Sequence, residues 1–178
     1  MTRTRFVIDV ATGLLAGWVG LQAKAKAESA LQTWGERVLP PEPGQKELLG
    51  ADPAGHGERM PPSILWKRVV ELTGRNPEAM TPEQVEAGAV WFHRALGYGY
   101  PVVYSLVSRR IPAARLFSGA LGGTALFTAF HATTLPAMGV QAPVRDLPQA
   151  WWVWEGGSHI VFGVAVDAVI GAVRTITR

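Results

Sequence analysis

The sequence predicts an all-α fold: a polytopic membrane four-helix bundle with a long, Pro-rich extracytoplasmic loop that carries a short amphipathic helix. Three observations predict it. The chain has 178 residues, 48% hydrophobic and only 17% charged. Its charge is unevenly placed: 10 of the 14 acidic residues lie between Glu28 and Glu86. A mean hydropathy of +0.13 therefore averages a polar middle against very apolar flanks. Four apolar segments, at about 6–23, 87–107, 116–138 and 151–173, each have the roughly 20 residues needed to cross a hydrocarbon core as a helix. The whole chain, 1–178, reads as one integral membrane domain with a polar loop at about 24–85.

Composition also excludes functions. With no cysteine, disulfide scaffolds, thiol nucleophiles, cysteine zinc sites and iron–sulfur clusters are ruled out. The net charge of +3 does not form a basic stripe. The cations sit at the ends of apolar segments, so the expected partner is the lipid bilayer and no nucleic acid.

The first segment follows Arg3 and Arg5. It has signal-peptide features, including Ala25-Lys26-Ala27, but Asp9 and three glycines dilute its apolar run. It reads as a retained anchor, and Lys24 to Val38 has the composition to continue its helix. In the loop, which holds 8 of the 13 prolines, Ile64, Leu65, Val69 and Leu72 recur at helical spacing and predict a helix over 63–74. Thr81-Pro82-Glu83-Gln84 is a helix start with a hydroxyl cap and a glutamine three residues on, so the second helix begins above the membrane. The third segment has no formal charge. Arg109, Arg110 and Arg115 crowd the link before it, Arg174 and Arg178 follow the fourth, and only Arg145 lies between the third and fourth. These short links place both termini in the cytoplasm, in a multi-pass protein of a bacterial inner (plasma) membrane.

Gly13, Gly17 and Gly20, then Gly119 and Gly123, then Gly156, Gly163 and Gly171 supply small-residue faces for helix packing in lipid. Gly97, Gly99 and Pro101 are expected to loosen or kink the second segment, as Pro136 does the third. Trp91, Trp151, Trp152 and Trp154 at the outer ends suit an interfacial belt.

Ionisable groups inside spans are costly and point to function. They are Asp9, His93, Arg94, His131, Glu155, His159 and Asp167. At ~1.5 Å per residue, His93, His131 and His159 fall at one level, about 9–12 Å below the outer boundary. Glu155 stands one turn above His159 on the same face. Imidazole plus carboxylate can hold a metal ion, so His93, His131, Glu155 and His159 are candidate ligands. Imidazoles also pass protons, and His131, His159 and Asp167, with Thr124 and Thr128, form a candidate relay inward. A tetrapyrrole held by one histidine is a third chemistry. Interhelical hydrogen bonding alone is the fourth reading.

Trp34-Gly35-Glu36 with Leu39-Pro40-Pro41, then His93, Pro112, Arg115-Leu116 and Gly119, form a pattern that continues. It runs through His131, Leu135-Pro136, Met138-Gly139, Pro143, Asp146-Leu147-Pro148, Glu155, His159 and Asp167. It resembles the YagU-like family of bacterial inner-membrane proteins over most of Trp34 to Arg174. The resemblance implies a domain of unknown function associated with acid tolerance in enteric bacteria, without established catalysis. It also implies that His93, His131, Glu155, His159 and Asp167 belong together. Asp9 has no counterpart in the pattern.

No phosphate loop, nucleotide fingerprint, serine-hydrolase elbow or HExxH is present, and no inverted repeat marks a transporter. The leading expectation is a non-enzymatic accessory or stabilising subunit of a membrane assembly, or a homo-oligomer. The alternative is proton or metal-ion handling by the histidine cluster, linked to acid or metal stress. A metal-dependent membrane enzyme is third.

Overall fold

The computed structural model describes residues 2–177, apart from the side chains of Ala114 and Leu116; Arg178, one of the cations used above for orientation, lies outside the described residues. Among the described residues the chain is helical with no strand. Helix α1, Arg3–Val38, starts where the Arg5 amide donates to the Thr2 hydroxyl at 3.4 Å. At ~1.5 Å per residue it reaches about 54 Å, well beyond a core of ~30 Å. The stretch expected to open the polar loop is thus the C-terminal part of this helix. The face α1 buries runs Asp9, Gly13, Ala16, Gly17, Gly20, Lys24 and Gly35, at the three- and four-residue steps of one helical face.

The segment between α1 and the next long helix is built from tight turns around helix α2, Pro61–Leu72. It is pinned to the far end of the chain. The Ala142 amide donates to the Leu49 carbonyl at 2.9 Å. Arg68 donates to the Met138 carbonyl at 2.9 Å, and the Trp151 indole to the Gly50 carbonyl at 3.0 Å. This cap corrects the tryptophan belt. Trp151 and Trp154 are fully buried in a core with Ala51, Phe127, Ala142 and Leu147, because the turns over 48–60 cover them and supply the indole acceptor. Trp91 and Trp152 are exposed.

Helix α3, Pro82–Arg110, opens with the capping box formed by Thr81 and Gln84. It runs through Pro101 unbroken, and packs on α1 with Gly13 against the backbone of Pro101 and Val102 and Gly17 against the Gly97 carbonyl. Pro112 stops it. A turn over Pro112–Gly119 follows, with Phe117 and Ser118 at φ of 55° and 52° and Gly119 at 82°. Left-handed residues cannot enter a right-handed helix. The third helix, α4, therefore begins at Ala120 rather than 116 and covers Ala120–Ala129. It continues through a π-helical turn, Phe130–Thr134, into Leu135–Ala137. Helix α5, Gln149–Ile176, carries a second π-helical turn at Trp152–Gly156.

Packing of α4 on α5 depends on glycine. A Cβ at Gly123 would meet the carbonyl of His159, and one at Gly163 the backbone of Gly119 and Gly123. Only a bare backbone permits that approach. Among the described residues, two helices are long and apolar enough to cross a membrane, α1 and α5. The 87–107 segment lies in a helix of 29 residues, yet neither it nor 116–138 reaches that combination of length and hydropathy.

Candidate functional site

Glu155 is the hub of the half of the molecule that carries the cap. It is 3% exposed, and one of its oxygens, Oε1, meets three nitrogens. His159 Nδ1 lies 3.1 Å away, His131 Nε2 3.3 Å and Lys24 Nζ 3.4 Å. The two imidazole rings are 5.0 Å apart, centroid to centroid, and nearly perpendicular. One ligating atom from each of His131, Glu155 and His159 lies within 4.8 Å of the others. Phe127 stacks on His131 and closes the apolar side, with Trp151 against the same ring.

Local structure aims these groups. His131 lies in the π-helical turn Phe130–Thr134, and Glu155 in the turn Trp152–Gly156. π-helical turns recur at functional sites because the extra residue breaks the α register. The first has a visible cause: Pro136 has no N–H for the Ala132 carbonyl, and its ring would press on that carbonyl. Hydroxyls take up freed acceptors, Thr133 donating to Ala129 and Thr134 also to Ala129, each at 2.6 Å. The second lies just before the pair Gly156-Gly157, where backbone restraint is weakest.

Hydrogen bonds also set the tautomers. Gln141 donates its amide to the His131 carbonyl at 2.7 Å, which leaves its oxygen to accept from His131 Nδ1 at 2.8 Å. His131 Nδ1 thus carries a proton, and in the neutral ring Nε2 holds a lone pair. That lone pair faces Glu155 Oε1. His159 Nδ1 donates to the Glu155 carbonyl at 2.8 Å, one turn back, which leaves its own Nε2 as the acceptor. The His159 nitrogen nearest Glu155 Oε1 is thus the one that carries the proton, so the lone pairs that meet are those of His131 Nε2 and the carboxylate.

Lys24 was not among the residues singled out from sequence. It is 5% exposed and bridges Glu155 to Glu28, which lies 2.5 Å from its ammonium. The signal was present: Lys24 is four residues beyond Gly20, on the face that carries Gly13 and Gly17. Gln141 was missed because its role comes from a loop folded against α4.

The remaining candidates are placed elsewhere. His93 is exposed and lines a groove beside Lys24 and Glu28, outside the set of three. Arg94 is exposed. Asp167 belongs to a separate cluster, accepting from Arg115 at 2.6 and 3.1 Å and from the Tyr104 hydroxyl at 3.0 Å. Asp9 is held by Arg109 through two bonds of 2.7 Å. Thr124 and Thr128 are exposed and donate to carbonyls of their own helix. Buried Phe162, Gly163 and Val166 stand between His159 and Asp167 on α5.

An all-helical protein with two helices able to cross a membrane and a buried imidazole–carboxylate cluster is the class these observations define. A family model described as "Protein of unknown function (DUF1440)" matches residues 29–168, most of the chain, and the protein belongs to that family. The matched stretch contains His93, His131, Gln141, Glu155, His159 and Asp167; Asp9, Lys24 and Glu28 precede it. No curated protein and no solved structure matches the chain.

Proposed function

We propose that this is a multi-pass inner-membrane protein that binds one divalent transition-metal ion, zinc foremost, through His131, Glu155 and His159. The observation that carries the reading is the meeting of His131 Nε2 and Glu155 Oε1 at 3.3 Å, both as lone-pair atoms once Gln141 holds the His131 proton on Nδ1. A cation between them turns that repulsion into attraction. A single proton would need only two such atoms; here a ligand atom of His159 also lies within 4.8 Å of both, and it joins the set through Nε2, or through Nδ1 once that nitrogen releases the Glu155 carbonyl. For an ion bound at 2.0–2.1 Å with tetrahedral angles, neighbouring ligand atoms lie about 3.3–3.4 Å apart, which is the separation of His131 Nε2 from Glu155 Oε1. The Gln141 bond is the kind of orienting contact that metal-bound histidines receive. Three protein ligands leave a fourth position for water or another ligand.

The topology that accompanies this reading has four helices crossing the bilayer, both termini cytoplasmic and the capped end outside. Lys24 and Glu28 neutralise each other beside the ion. The reading as a stabilising subunit of a larger assembly has less to support it. Its glycine faces are used within the chain, Gly13 and Gly17 by α3 and Gly123 and Gly163 between α4 and α5. The exposed side chains of Leu14, Leu15 and Trp18 are those that lipid itself would cover.

The test is metal analysis and Co(II) titration of the full chain purified in mild detergent without chelator. About one equivalent per chain is expected, with the visible absorption of a tetrahedral Co(II) site. Both signals should disappear in His131→Ala and in Glu155→Gln. A chain that takes up no stoichiometric ion, or variants that bind as the wild type does, would overturn the reading.

A further inference from the structure

The metal reading leaves open how an ion reaches a carboxylate that is 3% exposed. A groove of about 360 Å³ lies between the outer part of α1 and the cap. Lys24, Glu28, Gln32, Pro53, Ala54 and His93 line it, and Leu21 does so one turn below Lys24 on α1. Its surface is mostly apolar, but an acid, an imidazole, an amide and an ammonium are set into it, from Glu28, His93, Gln32 and Lys24. Lys24 belongs to both places. Its ammonium is bonded to Glu28, on the groove side, and to Glu155, inside the site.

We infer that this groove is the loading port of the site: divalent cations enter from the extracytoplasmic solution past Glu28 and His93, and the Lys24 side chain is the cap between port and Glu155. The proposal rests on the metal reading. Glu28 and His93 supply an acid and an imidazole, a second ligand pair where a hydrated ion can shed water before the inner set takes it. The carboxylate at Glu28 also gives the Lys24 ammonium a partner to retain when an ion claims Glu155. The 3.4 Å contact to Glu155 is the longer of the two, so it is the one that yields.

The chain has no cysteine, so single-cysteine variants report access without further engineering. Leu21→Cys, at the floor of the groove, should react with a membrane-impermeant, charged thiol reagent added outside intact spheroplasts. Trp18→Cys, on the exposed apolar face of α1, should not react. Attaching a bulky reagent at Ala54→Cys in the purified full chain should slow Co(II) association about tenfold or more and leave equilibrium affinity within about threefold, as expected when only the path is blocked. Lys24→Gln should speed association by about tenfold, because an ammonium no longer repels the entering ion. Leu21→Cys that reacts only from the cytoplasmic side, or a plugged groove with unchanged association, would overturn the port while the site stands. If the wild type binds no ion yet Leu21→Cys reacts from outside, the metal reading has failed and the loading role with it.

Discussion

Replacing Gly123 by alanine tests packing and site together. A Cβ there would lie 2.9 Å from the His159 carbonyl carbon and 3.1 Å from the Ile160 Cα, and closer still to the His159 carbonyl oxygen. Ordinary carbon contacts begin near 3.2–3.5 Å, and the His159 carbonyl oxygen is the nearest obstacle, so α4 and α5 must part by about 1 Å at this level. The obstacle is backbone on both sides and cannot rotate away. Overpacking of this kind costs about 1–3 kcal/mol. For a chain of this size each kcal/mol lowers Tm by about 2–4 °C. The same displacement separates His131, on the α4 side, from Glu155 and His159, and a site held more than about 0.5 Å off its geometry loses most of its advantage. Co(II) affinity should fall by about tenfold or more. Gly99→Ala is the control. It also lies within a helix, but its Cβ would meet nothing within 4 Å, so it should gain up to about 0.5–1 kcal/mol from reduced chain entropy. Thermal unfolding followed by tryptophan fluorescence measures both. If Gly123→Ala melts with or above the wild type, the close approach of α4 and α5 is refuted.

Further outcomes follow from the same geometry. Arg109→Ala should destabilise more than Asp9→Ala, by about 3–5 against about 2–3 kcal/mol, since it strands a carboxylate 1% exposed while the converse leaves an arginine able to turn to water; denaturation of both variants in the same detergent decides, and the reverse order would contradict it. Trp66→Phe should leave Tm unchanged or slightly raised, because the Trp66 indole N–H is buried without a hydrogen-bond partner, and a loss of more than about 1 kcal/mol would mean that the N–H has an acceptor. Lys46, in the outer cap, has its pKa raised above 10.5, chiefly by its hydrogen bond to Glu36. Its contribution is therefore fully present below pH 10.5 and is lost as pH rises past the folded pKa. Lys46 is 41% exposed, so the amount is at most about 1 kcal/mol and falls with salt; Lys46→Gln should lower Tm slightly and equally from pH 6 to 9, and a difference that grows within that range would be inconsistent.

Much of the architecture was legible in the chain because it depends on local chemistry. The Thr81–Gln84 capping box, the α1 extension through Val38 and the short helix near 61–72 follow from caps, composition and 3.6-residue periodicity. Equal depth brought His93, His131 and His159 together, and the four-residue step placed Glu155 beside His159; both are properties of residue count. What depth cannot supply is rotation about each helix axis. That is why His93, at the same level, stands in the groove rather than in the set of three. The inward file from His159 to Asp167 is likewise interrupted by Phe162 and Val166, and Asp167 is closed by Arg115 and Tyr104.

The sequence by itself determined an all-helical chain with apolar segments of membrane length, the absence of thiol chemistry, and the close packing at Gly13, Gly17, Gly20, Gly119, Gly123 and Gly163, though not that at Gly88 and Gly97. Those properties are set by side-chain type and short-range spacing. Only the tertiary structure decided that Lys24 enters the site, that Gln141 sets the His131 tautomer, that two π-helical turns present His131 and Glu155 to each other, and that Trp151 and Trp154 form core under the cap. Each of these depends on contacts between residues distant in the chain, such as Lys24 with Glu155 and Gly50 with Trp151, and no local pattern encodes the relative rotation of helices that brings them together.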